Sequence, residues 1–222
     1  MTPGPIRTLA HELRQPLFAL KGRLQIAIAQ QVPLTMAELA QLLEQVEHLE
    51  QLLDWYASEA TAEPERVYDL REPVRRAHVA WSEQAAAHGV VVEVALPQGE
   101  VPVMGRALAL RQVTGNLLAN ALDALPGDGR REVRLAVEVD ATHARLVVDD
   151  TGPGLSDNVR ERVFEPFVST KDGTGSGLGL FIARGLVTEA SGTLTLENAP
   201  GGGTRATVQL PLAADRRAHA TS

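Results

Sequence analysis

Two apolar stripes at helical spacing occupy the sequence from Ile6 to Tyr56 and limit what this part of the chain can fold into. In the first stripe, two interleaved rows repeat every seven residues: Ile6, Leu13, Leu20, Ala27 and Ala10, Leu17, Leu24. The second stripe has spacings of three and four residues, through Leu39, Leu42, Val46, Leu49, Leu53 and Tyr56. Pro33 separates the stripes, and Thr35 with Glu38 is typical of a capping box that starts the second helix. The pattern predicts an antiparallel helical hairpin over residues 1–62.

A hairpin of this length carries a long apolar seam that it cannot bury by itself. Two copies would cover each other's seams in a four-helix bundle, so we expect a homodimer formed through the hairpin. The alternative is a hairpin that docks on the C-terminal part of its own chain.

Composition excludes several classes of protein. The chain has 222 residues, 44% hydrophobic and 22% charged, which is ordinary for a globular protein. It has no cysteine, which excludes thiolate metal sites and cysteine nucleophiles, and its net charge of −7 disfavours nucleic acid as a partner. No apolar run approaches the roughly 18 to 20 residues of a membrane helix. We expect a cytoplasmic chain with no membrane segment, although a missing N-terminal part could attach the full-length protein to a membrane.

After a linker near residues 61–65, strand and helix patterns mix without a regular βαβ rhythm. Strands are predicted at 67–70, 90–96, 133–139, 146–148, 193–197 and 204–210, and helices at 72–88, 106–125 and 178–190. Residues 151–176 are predicted to be loop, and residues 213–222 a flexible tail. The mixture predicts an α+β fold in which residues 63–212 form an α/β sandwich, one sheet backed by helices.

The first polar cluster lies on the predicted helix at 106–125. Asn116, Asn120 and Asp123 fall at positions i, i+4 and i+7, so their side chains share one helical face. An amide oxygen is a neutral hard donor that suits Mg²⁺ when the ion also holds phosphate oxygens. A solvated polar stripe explains this cluster equally well when it is considered alone.

The second cluster follows a predicted strand, which delivers Asp150 to its own end. Gly152 and Gly154 come directly after it and let a flat ligand approach the backbone. An aspartate in this position can accept a hydrogen bond from an amino group such as that of adenine. Taken alone, the segment is also typical of an ordinary turn.

The third cluster is a glycine-rich loop that leads into the last predicted helix. Its residues are Lys171, Gly173, Thr174, Gly175, Ser176, Gly177, Leu178 and Gly179. Exposed backbone N–H groups and a helix N-terminus favour phosphate. The loop lacks the Gly-Lys-Ser/Thr of a P-loop and does not follow a strand within a βαβ unit. The alternative is a flexible lid that closes on a nucleotide.

In this order, the three clusters resemble the Bergerat or GHKL-type ATP-binding domain of sensor histidine kinases, gyrase-type topoisomerases, Hsp90 chaperones and mismatch-repair ATPases. The resemblance covers residues 67–212 and includes the Phe-Glu-Pro-Phe segment at 164–167 and the Gly-Gly-Gly-Thr segment at 201–204. It implies that Asn120 holds Mg²⁺ against the phosphates of ATP. It also implies that Asp150 binds the adenine amino group with support from Thr204, and that Lys171 and the lid surround the phosphates.

Position 116 distinguishes among these relatives. The hydrolytic members carry a glutamate there that activates water, whereas the amide of Asn116 has no useful basicity. The resemblance therefore implies phosphoryl transfer to a better nucleophile than water.

A candidate nucleophile lies in the first predicted helix. His11 is next to Glu12, which can orient the imidazole or take its proton, and Pro16 follows in the same stripe. This pattern resembles the phospho-acceptor box of sensor histidine kinases. The resemblance implies phosphorylation of His11 by ATP, followed by transfer to an aspartate of a response-regulator partner.

Three departures from the family pattern leave questions open. Gln15 stands where many relatives carry Thr or Asn, so phosphatase activity is undecided, and Asp123 stands where many carry Lys or Arg. Only ten residues precede His11, whereas the dimer helix of relatives usually starts earlier, so the chain is either the core of a longer sensor or receives its signal from another subunit. No sensory domain is visible. Two rival functions remain: a serine kinase with the same ATP domain, and a non-catalytic dimer that only binds nucleotide.

Overall fold

The computed structural model of the protein describes residues 17, 20–31, 33–36, 38, 39, 42, 43, 46, 66–125, 127, 129–165, 168, 177 and 179–213. Predictions for the linker, the tail and most of the two ends of the hairpin lie outside these residues. The chain divides into two compact units. The first unit comprises Met1–Ala62 and Phe167–Leu178, and the second comprises Glu63–Pro166 and Gly179–Ser222.

In the first unit, helical segments lie on both sides of a turn, as the two stripes predict. Residues 20–30 are helical, residues 33–35 are not, and residues 36, 38, 39, 42, 43 and 46 are again helical. The predicted capping box is confirmed. The backbone N–H and the hydroxyl of Thr35 each donate to Glu38 Oε2 at 2.8 Å, and the Glu38 N–H donates to Thr35 Oγ1 at 3.2 Å. The backbone and hydroxyl bonds from Thr35 lower the pKa of the Glu38 carboxyl.

The described residues of the second unit form seven strands and four helices. The strands are β1 (Arg66–Asp69), β2 (Val91–Ala95), β3 (Pro102–Gly105), β4 (Glu132–Val139), β5 (His143–Asp150), β6 (Thr193–Asn198) and β7 (Thr204–Pro211). The helices are α1 (Arg71–Ala87), α2 (Ala107–Ala124), α3 (Asp157–Arg162) and α4 (Gly179–Glu189). None of the helices in the described residues is both long and apolar enough to cross a membrane.

Five strands form one mixed sheet in the order β2-β4-β5-β7-β6, while β1 and β3 pair separately. The β2–β4 pair is parallel and the other neighbours are antiparallel. Helices α1, α2 and α4 contact strands β2, β5 and β6 respectively. The predicted α+β arrangement, a sheet backed by helices, is therefore confirmed for this unit.

The core lies between the sheet and these helices. Leu146 on β5 pairs with Val208 on β7, and both side chains are fully buried. Leu118 on α2 and Ile182 on α4 are buried as well. Buried and half-buried residues alternate along β7, as expected for a sheet with one face packed on the core.

One row of charged residues crosses all five strands. In the register of the sheet, neighbouring residues alternate in sign: Glu93, Arg134, Asp149, Arg205 and Glu197. Arg205 donates two hydrogen bonds to Asp149, at 2.7 and 2.8 Å. Opposite charges on neighbouring strands stabilise pairing, so this row supports the register of the sheet.

Two elements differ from the sequence prediction. Strand β3 was not predicted, because a four-residue segment that begins with Pro102 gives little periodicity. The predicted loop over residues 151–176 is wrong at Asp157–Arg162, which is helical. Asp157 in the first turn and Arg160 and Arg162 in the last turn complement the helix dipole, a local signal that the surrounding glycines and prolines concealed.

Candidate functional site

Asp150 is the last residue of β5, and the residue is 6% exposed. Its Oδ1 accepts hydrogen bonds from the backbone N–H groups of Gly152, at 2.8 Å, and of Thr204, at 3.1 Å. Burial raises the pKa of this carboxyl, and the two backbone bonds oppose that shift. Neither of these two backbone N–H groups donates a hydrogen bond to Asp150 Oδ2. The strand therefore presents a buried carboxylate whose Oδ1 is held by two backbone groups, and a hydrogen bond from the Thr204 side chain also lowers its pKa.

The loop after Asp150 runs too close to its surroundings for side chains. A Cβ on Gly152 would lie 2.9 Å from the carbonyl oxygen of Ala124, at the end of α2. Gly154 has a φ of +79°, and a Cβ there would lie 2.8 Å from Asn198 Oδ1. A Cβ on Gly203 would overlap the backbone of Asp150. These three glycines allow the loop, the end of α2 and the β6–β7 turn to come together.

Helix α2 meets the start of α4 through its two asparagines. Asn116 Nδ2 donates to the carbonyl oxygen of Gly179 at 3.0 Å. A Cβ on Gly179 would lie 3.9 Å from Asn120 Nδ2. The N-terminus of α4 therefore lies beside the asparagine face of α2. The spacing of the two residues predicts the shared face but not this neighbour.

The amide of Asn120 has unused capacity for a ligand. Its Nδ2 is buried and has no hydrogen-bond partner among the described residues. Leaving a buried polar atom unpaired is costly, so a partner outside the protein is expected there. The two ends of a carboxamide exchange by a half-turn, which would present the oxygen to a metal ion instead. A carboxamide oxygen is a suitable ligand for a Mg²⁺ ion that also holds phosphate oxygens.

Helix α2 links the two ends of the candidate site. Its middle carries Asn116 and Asn120 beside Gly179, and its C-terminal end contacts Gly152 through Ala124. From Asn116 to Ala124 the helix rises about 12 Å. Asp123 lies on the same helix and is exposed. The helix therefore connects the asparagine pair to the loop that follows Asp150.

The predicted site residues fall into two groups. Within the second unit the structure brings together Asn116, Asn120 and Gly179 beside the middle of α2, and Asp150, Gly152, Gly154 and Thr204 near its C-terminal end. Gly177 belongs to the first unit and has a φ of +63°. The remaining predicted residues lie outside the described residues: His11, Glu12, Gln15, Lys171, Gly173, Thr174, Gly175, Ser176 and Leu178.

Two residues near the site were missed from the sequence. Gly203 lies against the backbone of Asp150, and Asn198 bonds the backbone of Leu155 through both ends of its carboxamide. The glycine run at 201–203 was a visible signal, although only Thr204 was given a role. Nothing in the sequence near Asn198 indicates a partner 43 residues away.

Comparison with known proteins agrees with this geometry. Residues 105–214 match the family described as histidine kinase-, DNA gyrase B- and HSP90-like ATPase. Over 211 residues the chain is 35% identical to the sensor protein kinase PmrB of Pseudomonas aeruginosa, covering 91% of this chain and 44% of that protein. The chain spans less than half the length of the curated relatives it matches.

Solved structures give the same assignment. The mycobacterial sensor histidine kinase MprB aligns with a TM-score of 0.58 and 28% identity, over 67% of this chain and 98% of that one. The Acinetobacter baumannii histidine kinase AdeS aligns with a TM-score of 0.65 and 25% identity, over 91% and 98%. The second unit thus carries a GHKL-type ATP-binding catalytic domain. The chain belongs to the sensor histidine kinases of two-component systems.

Proposed function

We propose that this chain is a kinase core that binds ATP with Mg²⁺ in its second unit and phosphorylates His11 in its first. The phosphoryl group then passes to an aspartate on the receiver domain of a response regulator. The observation that carries the proposal is the buried carboxylate of Asp150, held through Oδ1 by the backbone of Gly152 and Thr204.

Asp150 recognises the adenine ring. Its Oδ2 accepts a hydrogen bond from the exocyclic amino group of the flat base, beside the closely packed turn at Gly152 and Gly154. Because the carboxylate is already buried and oriented, binding does not have to remove it from water. An amino group is recognised by an acceptor, so a base with a carbonyl in that position is rejected.

The middle of α2, where Asn116 and Asn120 lie, receives the phosphates. Asn120 would hold Mg²⁺, which neutralises phosphate charge when it is bound. The N-terminus of α4 beside it offers backbone N–H groups and a positive dipole to the same anion. Lys171 and the loop residues Gly173, Thr174, Gly175, Ser176, Gly177, Leu178 and Gly179 complete the phosphate contacts.

The chemistry is transfer to a side chain rather than hydrolysis. The amide of Asn116 has no useful basicity, and its Nδ2 is occupied by the carbonyl oxygen of Gly179. A His11 ring nitrogen attacks the γ-phosphorus, and the bond from that phosphorus to the bridging oxygen breaks, so ADP leaves. Glu12 takes the proton from the imidazole. Positioning and charge neutralisation supply most of the rate in reactions of this type.

A second copy of the chain would cover the apolar stripes of the first unit. In the single chain Leu17 is 50% exposed and Leu24 is 36% exposed, and Leu39 and Val46 of the second stripe are also exposed. Such a row of exposed large apolar residues on a helix favours association. We propose a homodimer through the hairpin, with the signal arriving from an upstream sensor domain or subunit outside this chain.

Labelling with γ-³²P-ATP and Mg²⁺ tests the proposal. The wild type should incorporate acid-labile, base-stable label, since a phosphoramidate on histidine has that stability. Both His11→Gln and Asn120→Ala should lose it, whereas His11→Gln should still bind ATP. Acid-stable label retained in His11→Gln would favour the serine kinase. Nucleotide binding without label in the wild type would favour the non-catalytic dimer.

A further inference from the structure

We propose that Asn198 is a positioning residue of the nucleotide site, whose carboxamide fixes the loop from Asp150 to Leu155 and so orients the Asp150 carboxylate. The proposal rests on the assignment of this site to ATP. Asn198 is exposed and lies at the end of β6, and it acts through the loop rather than by touching the ligand.

Two hydrogen bonds join Asn198 to a single residue of the loop. The Leu155 N–H donates to Asn198 Oδ1 at 2.6 Å, and Asn198 Nδ2 donates to the Leu155 carbonyl oxygen at 3.0 Å. One planar side chain thus satisfies both backbone groups of Leu155, as a neighbouring strand would. Such pairing requires an acceptor and a donor on the same rigid group, and a carboxamide has both.

The partner of Asn198 in the sheet holds the other end of the same loop. Asn198 pairs in register with Thr204, and the Thr204 N–H donates to Asp150 Oδ1. The turn between them is closed by bonds from Ala199 N–H to the Gly203 carbonyl and from Gly202 N–H to the Ala199 carbonyl. The β6–β7 hairpin therefore holds the loop at both ends with groups whose spacing is set by one tight turn.

The glycine between the two attachment points shows how closely the loop is held. Gly154 has a positive φ, and a Cβ there would lie 2.8 Å from Asn198 Oδ1 and 3.2 Å from the Gly203 carbonyl oxygen. If the bonds to Leu155 are lost, this segment can move away from the hairpin. The loop can then sample orientations in which Gly152 N–H no longer bonds Asp150 Oδ1. The carboxylate is then less preorganised, and ATP binds more weakly because part of the binding free energy is used to order it.

A titration of the full 222-residue chain with ATP and Mg²⁺ by calorimetry tests the proposal, with Thr195→Ala as a control. Thr195 is exposed on the same strand and has no role in the site. Asn198→Ala should weaken ATP binding about five- to tenfold, the loss expected for two exposed hydrogen bonds of ordinary strength. Asn198→Asp keeps the acceptor for the Leu155 N–H and loses the donor, so its affinity should fall between those of the wild type and the alanine variant.

Autophosphorylation kinetics separate positioning from a general structural role. In Asn198→Ala the ATP concentration that gives half-maximal rate should rise by the same factor as the dissociation constant, while the rate at saturating ATP stays unchanged. Unchanged ATP affinity in Asn198→Ala overturns the inference. A fall in the rate at saturating ATP by the same factor as the fall in affinity also overturns it. Should the alanine variant fail to fold, wild-type affinity in Asn198→Asp overturns it. A wild type that binds no ATP removes the proposed function itself.

Discussion

In the second unit the large apolar side chains of the sheet lie against three helices, whereas in the first unit many of them face solvent. Leu146 and Leu118 are fully buried in the second unit, while Ile28 of the first unit is 76% exposed. A unit with a sheet and helices on one face can close its core by itself. Helices that leave their apolar stripe exposed need a partner. We infer that nucleotide binding belongs to a self-sufficient unit and that the first unit is completed by association.

The largest effect is expected in the core of the second unit. Leu146→Ala should lower the free energy of unfolding of this unit by about 2 to 5 kcal/mol, because it leaves a cavity between the sheet and the helices. Thermal unfolding, monitored by circular dichroism, measures this loss of stability. Oligomeric state at temperatures where the variant is folded should be unchanged. A loss below about 1 kcal/mol would show that this core is not the source of the unit's stability.

The matching change in the first unit should affect association instead. Leu24→Ser removes apolar surface from each copy of the proposed dimer and should raise its dissociation constant at least about tenfold. Sedimentation velocity over a range of concentrations measures the constant. The ATP affinity of the second unit serves as the control and should be the same in Leu24→Ser as in the wild type. A wild-type chain that stays monomeric at all concentrations would contradict the comparison.

Replacing the buried carboxylate should separate binding from stability within the second unit. Asp150→Asn keeps an oxygen for the Gly152 and Thr204 N–H groups and presents an NH₂ to the adenine amino group. ATP affinity should fall by about 1 to 3 kcal/mol, measured by calorimetry. Affinity equal to that of the wild type would remove Asp150 from the adenine role.

The stability of the same variant follows from the direction of the pKa shift. Burial raises the pKa of Asp150, so its contribution to stability is complete below the unfolded pKa and is lost as pH rises through the folded value. At pH 7 burial of the ionised carboxylate therefore lowers the stability of the wild type, and Asp150→Asn avoids this destabilisation. The Tm of the variant at pH 7 should equal or exceed that of the wild type. A lower Tm would mean that the carboxylate has a structural role.

The smallest effect concerns the capping box of the first unit. The pKa of Glu38 is lowered, so its contribution is present above the unfolded pKa and is lost as pH falls through the lower folded value. Glu38→Gln should reduce the loss of helix content between pH 5 and pH 3, which circular dichroism can follow. Identical pH profiles for the two proteins would contradict this role.

Local patterns predicted much of the fold and of the candidate site. The alternation in β4 and β7, the asparagine face of α2 and the capping box at Thr35 each depend on residues a few positions apart. Strand β3 and helix α3 were missed because four and six residues are too short to show a period. The contact of Asn198 with Leu155 depends on how the hairpin folds back over 43 residues, which no local spacing encodes.

Mapping the phosphorylated residue tests the central claim most directly. The chain would be incubated with ATP and Mg²⁺, digested at alkaline pH and analysed by mass spectrometry under conditions that preserve phosphohistidine. The account predicts one phosphoryl group on the peptide that contains His11, and slower accumulation of that phosphopeptide in Asp150→Asn at an ATP concentration that just saturates the wild type. A phosphoryl group on serine or threonine, or on another histidine, would contradict it.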